Sequence, residues 1–368
     1  MKRILSQCRK ELAQFQRDRL TVALAFILPL LTLFIFGFAI RLEAKNIPLV
    51  VQDFDNSPLS RSYIERLFAT NQFQPARWTG TDPVKDAIDP GRAKVAVIIP
   101  PDFSQRIKAQ VPSPVQAIID GSDINNARVI RNIIQSTTRF FLRQSGLQPD
   151  RPKITLHTRI WFNPGRKESL YIVPGTCGLI LWIYPSLLAA IAMVREKEQG
   201  TIVQVYASSL SAKELLLGKG LAYLIVGLGE AVIILVLSAL IFGIRFAGDP
   251  TPFLVSLPIY VAAAVMFGLV LGTRASSQSA AVQGVATIGF LTALLLSGFI
   301  YPLSNIPFPL SLVTNIVPAR YFIVIIRDAF VRGTGWTGVW FDLVMLVVLG
   351  MLLFNAARRN LNHMQLSD

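Results

Sequence analysis

The sequence predicts a multi-pass α-helical membrane protein: six transmembrane helices with one α/β domain inserted after the first. Three observations carry this. Leu20–Ile40 is 21 residues without a charge, and at about 1.5 Å per residue it is long enough to cross a hydrocarbon core of about 30 Å. Five more apolar runs follow, at Leu170–Val194, Leu221–Ile244, Phe253–Thr273, Ala280–Tyr301 and Val339–Ala357. Residues are 52% hydrophobic and only 16% charged, with a mean hydropathy of +0.49, which a soluble chain of this length seldom reaches.

Residues 1–19 form a basic arm in which Ile4, Leu5, Cys8, Leu12 and Phe15 recur at helical spacing. An amphipathic helix lying in the interface, attracted by anionic lipids, is expected. The run at 20–40 is too long for the core of a cleaved secretory signal and has about twenty residues ahead of it. Lys and Arg in the short flanks orient the spans. Lys2, Arg3, Arg9, Lys10, Arg17, Arg19, Arg195, Lys197, Lys213, Lys219, Arg274, Arg358 and Arg359 fall on one side; only Arg245, Arg320, Arg327 and Arg332 fall in the opposite short loops. Both termini are therefore expected in the cytoplasm and residues 41–169 outside.

Within 41–169, strands are predicted at Pro48–Gln52, Val95–Ile99, Val115–Asp120 and Ile154–Ile160, and helices at Pro58–Ala69, Pro101–Gln110 and Asn125–Arg143. Val129, Ile133, Ile134, Phe140 and Phe141 should form the core-facing stripe of the last helix. His157 is the segment's only histidine, so no metal-ligand spacing occurs. The turn-rich run Asp120, Gly121, Ser122, Asp123 and Asn125 could cradle a cation, but turn chemistry alone explains it. Net charge is +14, but the basic residues here are interspersed with acids, so nucleic acid is not expected as a partner. Cys8 and Cys177 lie in different environments and offer no disulfide framework.

Arg195–Lys219 links the second and third spans on the inner side. Its charges alternate in sign, Ile202, Val203, Val205 and Tyr206 give it an apolar side, and Ser211 with Glu214 reads as a capping box. A short surface helix or a solvated hairpin fits equally well. At these residues, and at DFDNSPLS (53–60), DGSDINNA (120–127) and the run from Gly298 to Phe322, the chain resembles ABC-2 type permeases of ATP-driven transporters. The nearest subgroup is that of bacterial drug-efflux permeases with a large periplasmic domain between the first two spans. The resemblance implies that the loop is a coupling helix docking on an ATP-binding subunit, with Glu196, Glu198, Gly200, Thr201 and Gln204 transmitting its motion. It also implies a dimer, either of two copies or with a related permease, in the bacterial inner membrane. A periplasmic adaptor and an outer-membrane channel are further expected partners. No G-x-x-x-x-G-K-[ST] loop occurs, so the chain is not itself expected to be an enzyme; ATP and Mg would be held by the partner.

Glu230 lies deep in the third span, where an ionised side chain costs at least about 2.5 kcal/mol. It is the candidate for the transport path, contacting a cationic substrate or exchanging a proton; helix-gluing at a dimer interface is the other reading. Gly268 and Gly272 form a G-x-x-x-G pair for helix packing, and Gly227 and Gly229 would thin the third span likewise. Residues 302–338 are apolar but broken by Pro307, Pro309 and Pro318. They predict short re-entrant helices on the outer side, with Arg320, Arg327 and Asp328 at the interface in ion pairs or headgroup contacts; residues 358–368 form a cytoplasmic tail. The function expected is export of amphipathic or cationic drugs or lipid-like molecules. An ion-coupled antiporter using Glu230 as its carrier is the alternative, and a receptor a third class.

Overall fold

A computed structural model describes residues 1–39, 46–122, 124–146, 162, 167–200 and 210–366. The chain divides into two compact units, Met1–Ile40 with Ile160–Asp368, and Arg41–Arg159.

The first unit is helical. Helix α1 (Lys2–Arg17) ends at Asp18, whose extended backbone separates it from α2 (Arg19–Ala39). There follow α6 (Ser169–Glu198), α7 (Ala212–Phe242), α8 (Thr251–Arg274), α9 (Gln278–Leu296), the short α10 (Pro318–Arg327) and α11 (Trp336–Leu366). Six of these, α2, α6, α7, α8, α9 and α11, are long and apolar enough to cross a membrane. Helix α6 is the core: 83% of its most apolar stretch is buried, against 17% for α11. A helix apolar all round and buried all round belongs inside a bundle, while its neighbours keep faces for lipid or for other chains.

Close approach holds α6 to α8. A Cβ on Gly268 would sit 2.0 Å from the carbonyl oxygen of Ser186, and one on Gly272 2.7 Å from that of Ala190. The Ser186 hydroxyl donates across the joint to Ala264 O at 2.8 Å, and Tyr260 Oη donates to Gly178 O at 2.7 Å. Buried polar groups in hydrocarbon need such partners. Gly227 also packs tightly, against Val261, whereas Gly229 faces open space and thins nothing.

Three differences from the sequence reading appear here. The fifth span stops at Leu296 rather than Tyr301, because Ser297 accepts from the Phe299 N–H and Gly298 turns left-handed at φ 80°, a helix-ending conformation. Beyond it, Leu310–Ile316 and Pro318–Arg332 meet at 75°. Among the described residues Arg327 and Asp328 make hydrogen bonds in place of ion pairs: Arg327 donates to Gly298 O and Phe299 O over the Tyr171 ring, and Asp328 accepts from Thr334 and Gly335. Helix α1 buries Gln7, Cys8, Glu11 and Phe15, while Leu5 is exposed. The protein-facing side is thus more polar than the predicted stripe, for reasons given below.

The second unit is a four-stranded sheet, order β2-β1-β3-β4, with helices. Strands β1 (Ile47–Asp53), β2 (Phe73–Pro75) and β3 (Val95–Ile99) are parallel and β4 (Gln116–Ile119) is antiparallel to β3. Ser57 caps α3 (Pro58–Phe68) through Ser60, and α4 (Phe103–Lys108) and α5 (Ile124–Gln144) follow. Side chains alternate across the sheet: Leu49, Val95, Val97 and Ile99 face the helices with Tyr63, Phe103, Ile134 and Phe141, while Val50 faces Ala87 and Ala93. On α5 the buried side chains among the described residues are Ile130, Ile134, Thr137 and Phe141; the predicted Val129 and Phe140 are exposed. At the turn, Lys94 lies 2.5 Å from the Asp120 carboxylate and the Ser122 N–H donates to its other oxygen, so among the described residues this carboxylate is occupied by turn and ion-pair contacts. That Lys94 bond holds the Asp120 carboxyl far below the usual range. Asp123, the strand at Ile154–Ile160 and His157 lie outside the described residues.

Candidate functional site at the end of α6

Helix α6 closes on four consecutive charged residues, and each one reaches a different element. Arg195 pairs with Asp18 at 2.7 Å and donates to the Thr21 hydroxyl at 3.0 Å, gripping the α1–α2 joint. The Thr21 hydrogen bond, helped by Arg195, holds the Asp18 carboxyl below its ordinary value.

Glu196 turns inward and is 3% exposed. It accepts from Lys10 of α1 at 2.8 Å and pairs with Lys219 of α7 at 3.2 Å. Lys219 is fully buried, and it also contacts Glu11 at 2.7 Å and donates to Ala192 O at 3.3 Å. Gln7 donates to Glu11 at 3.0 Å. Two lysines thus face two carboxylates in a neutral cluster, the only form in which such charges are tolerated inside a protein. This explains why α1 buries Gln7 and Glu11: they complete the shell of Lys219.

Lys197 lies across the C-terminal end of α8, donating to Gly272 O at 3.2 Å and Thr273 O at 2.5 Å; a cation there meets the negative end of the helix dipole. Glu198 is exposed and accepts from the Gln278 N–H at 2.8 Å and from its side chain at 2.5 Å, at the positive N-terminus of α9. Gly200 then ends the helix at φ 68°, its N–H on Lys197 O. Thr201 and Gln204 lie outside the described residues, as does the expected surface helix. The α7 start is closed by the Ser211–Glu214 capping box, with Arg3 at 3.9 Å from Glu214.

Eleven residues, about 16 Å, beyond Lys219 on α7 is Glu230, 1% exposed, both carboxylate oxygens lacking a hydrogen-bond partner among the described residues. Nearby, Thr32 and Tyr184 join α2 to α6 through a 2.6 Å hydroxyl pair. A lateral cavity of about 390 Å³ opens between Trp182, Phe267, Thr292, Pro318 and Leu352. Sequence reading passed over Trp182 and Phe267; a stacked aromatic pair, 5.1 Å between centroids, leaves no spacing signal because its members sit on different helices.

Six apolar helices round a buried core, with charged clamps at one end, define a multi-pass helical membrane protein whose helices are mechanically tied. A family profile described as ABC-2 family transporter protein matches residues 19–359, and the chain belongs to that family. It is 29% identical over 365 residues to the probable multidrug ABC transporter permease YbhR of Escherichia coli (strain K12), covering 97% of this chain and 98% of that one. It is 27% identical over 345 residues to the probable multidrug ABC transporter permease YbhS, covering 90% and 89%. With the inner membrane transport permease YhhJ it shares 25% over 348 residues, covering 89% and 91%. The protein is a permease subunit of an ABC exporter, and its family implies an ATP-binding partner.

Proposed function

We propose that this permease exports amphipathic or cationic molecules, including multidrug-type substrates, from the bacterial inner membrane. It does so as a dimer of two copies or with a related permease, and ATP with Mg is consumed on a separate subunit. Both termini and the 195–219 loop lie in the cytoplasm. The 41–159 unit lies in the periplasm, where an adaptor and an outer-membrane channel can meet it.

One observation carries the mechanism: Arg195–Glu198 reach the α1–α2 joint, α7, α8 and α9 from a single turn. A push on the exposed helix end at Glu198–Gly200 is delivered to all four at once, which is what rigid-body rocking of a bundle requires. Glu196 works inside the clamp. Glu198, Gly200, Thr201 and Gln204 make the contact with the ATP-binding subunit. Glu230, desolvated and without a hydrogen-bond partner among the described residues, supplies the cation contact or proton exchange in the path.

The test is a Gln199→Cys variant co-expressed with the cognate ATP-binding subunit carrying single cysteines. Nucleotide-dependent cross-linking that arrests transport is expected. Modification of that cysteine solely from the periplasmic face refutes the reading.

A further inference from the structure

The second unit holds a cavity of about 650 Å³ between β4 and α5. Its floor is apolar, formed by Phe103, Ile134, Phe141 and Val115. Beneath, Tyr63 Oη lies 2.7 Å from Thr138 Oγ1, while the buried Ser113 hydroxyl in the lining has no hydrogen-bond partner among the described residues. The volume falls within the roughly 300–1,000 Å³ of small-molecule sites, which are mostly apolar with a few converging polar groups. The gap exists because Ala117, on the cavity-facing side of β4, has no bulk to meet α5, and it stays exposed.

The rim carries one sign of charge. Arg131 and Arg139 line the mouth, eight residues or about 12 Å apart along one face of α5. Helix α5 also bears Arg128 and Arg143 and no Asp or Glu at all. No acid pairs with any of these four arginines among the described residues. Among the described residues the lining contains no carboxylate. An apolar well under unpaired guanidinium groups complements a molecule with a greasy body and one carboxylate, sulfonate or phosphate, because the guanidinium fork matches such oxyanions.

We propose that this cavity is a binding site for small amphipathic anions, distinct from any path through the helices and independent of which substrate the bundle moves. The ligand's apolar body lies against Phe103, Ile134 and Phe141 and its anionic head lies between Arg131 and Arg139.

The full-length protein in nanodiscs of zwitterionic lipid is titrated with 8-anilinonaphthalene-1-sulfonate, with empty nanodiscs subtracted. N-phenyl-1-naphthylamine, which has the same rings and no sulfonate, serves as the neutral competitor. One saturable sulfonate site per chain is expected. Arg131→Ala with Arg139→Ala should weaken it about tenfold while competition by the neutral probe persists. Ala117→Trp, a large residue at an exposed strand position, should abolish both. Absence of a saturable component overturns the proposal, as does equal sulfonate affinity in wild type and either variant. Elution of every variant with the wild-type profile in size-exclusion chromatography is the condition for reading the titration, and two independently placed variants guard against loss of either one to misfolding.

Discussion

Replacing Lys219 by Met should release α1 from the bundle. The methionine keeps most of the apolar stem and its volume but removes the ammonium, leaving Glu11 and Glu196 at side-chain exposures of 3% and 4%. Glu196 keeps Lys10, 2.8 Å away; Glu11 keeps only the neutral Gln7 amide. Breaking a buried ion pair from one side costs about 3–5 kcal/mol, because the remaining charge stays desolvated. Lifting α1 into water relieves that cost, so the opening equilibrium should shift by about 3 kcal/mol, roughly a hundredfold. Cys8 reports the change. It lies on the buried face of α1 at 4% exposure, its thiol pushed up by burial and by nearby Glu11. In a Cys177→Ala background, maleimide labelling of Cys8 should be slow in the parent and about a hundredfold faster with Lys219→Met. Adding Glu11→Gln, which removes the stranded charge, should restore most of the protection. An unchanged labelling rate in Lys219→Met would refute the view that this cluster holds α1 down.

Other consequences are open to direct measurement. Glu230→Gln should reduce export of cationic substrates while leaving expression and subunit assembly intact; unchanged export removes Glu230 from the path. Gly268→Ala should lower the melting temperature of the purified protein, since its Cβ would press on the Ser186 carbonyl and overpacking typically costs about 1–3 kcal/mol; an unaltered melting point would show that α6 and α8 can part freely. Asp18 has a folded pKa below its unfolded one, so its contribution is complete above the unfolded value near 4 and disappears as pH falls through the folded value. Asp18→Asn should therefore destabilise by no more than about 1 kcal/mol at pH 7, with the gap from wild type closing toward pH 3; a gap that persists there assigns the effect to something other than charge.

Local features of the fold were legible where local physics sets them. Strand β3 begins and ends where the β-branched run does, between Lys94 and Pro100, and α3 starts at a Ser57–Pro58 signal that pairs an N-cap with a fixed φ. Strand β2 escaped notice because it is three residues long and ends in a proline, held only by its register against β1. The spans declared themselves by length, but the helix-ending role of Gly298 did not, since the apolar run continues past it. The charges of Arg195–Glu198 were visible as a cluster, and their division of labour was not. Nothing in the linear order says that Lys219 will meet Glu11, 208 positions away, or that Glu196 faces in while Glu198 faces out. The cavity under α5 was likewise hidden: the apolar stripe announces a packed helix, and a gap opposite Ala117 is a property of two elements together.

We propose that a separate nucleotide-burning subunit moves the bundle through the end of α6. The most direct measurement reconstitutes this permease with its ATP-binding partner in proteoliposomes and follows accumulation of a cationic amphipathic dye. Accumulation that needs ATP, stops with vanadate and is lost in an Arg195→Ala, Lys197→Ala, Glu198→Ala triple variant that still assembles is the predicted result. Accumulation driven by a proton gradient with the ATP-binding partner left out would contradict it.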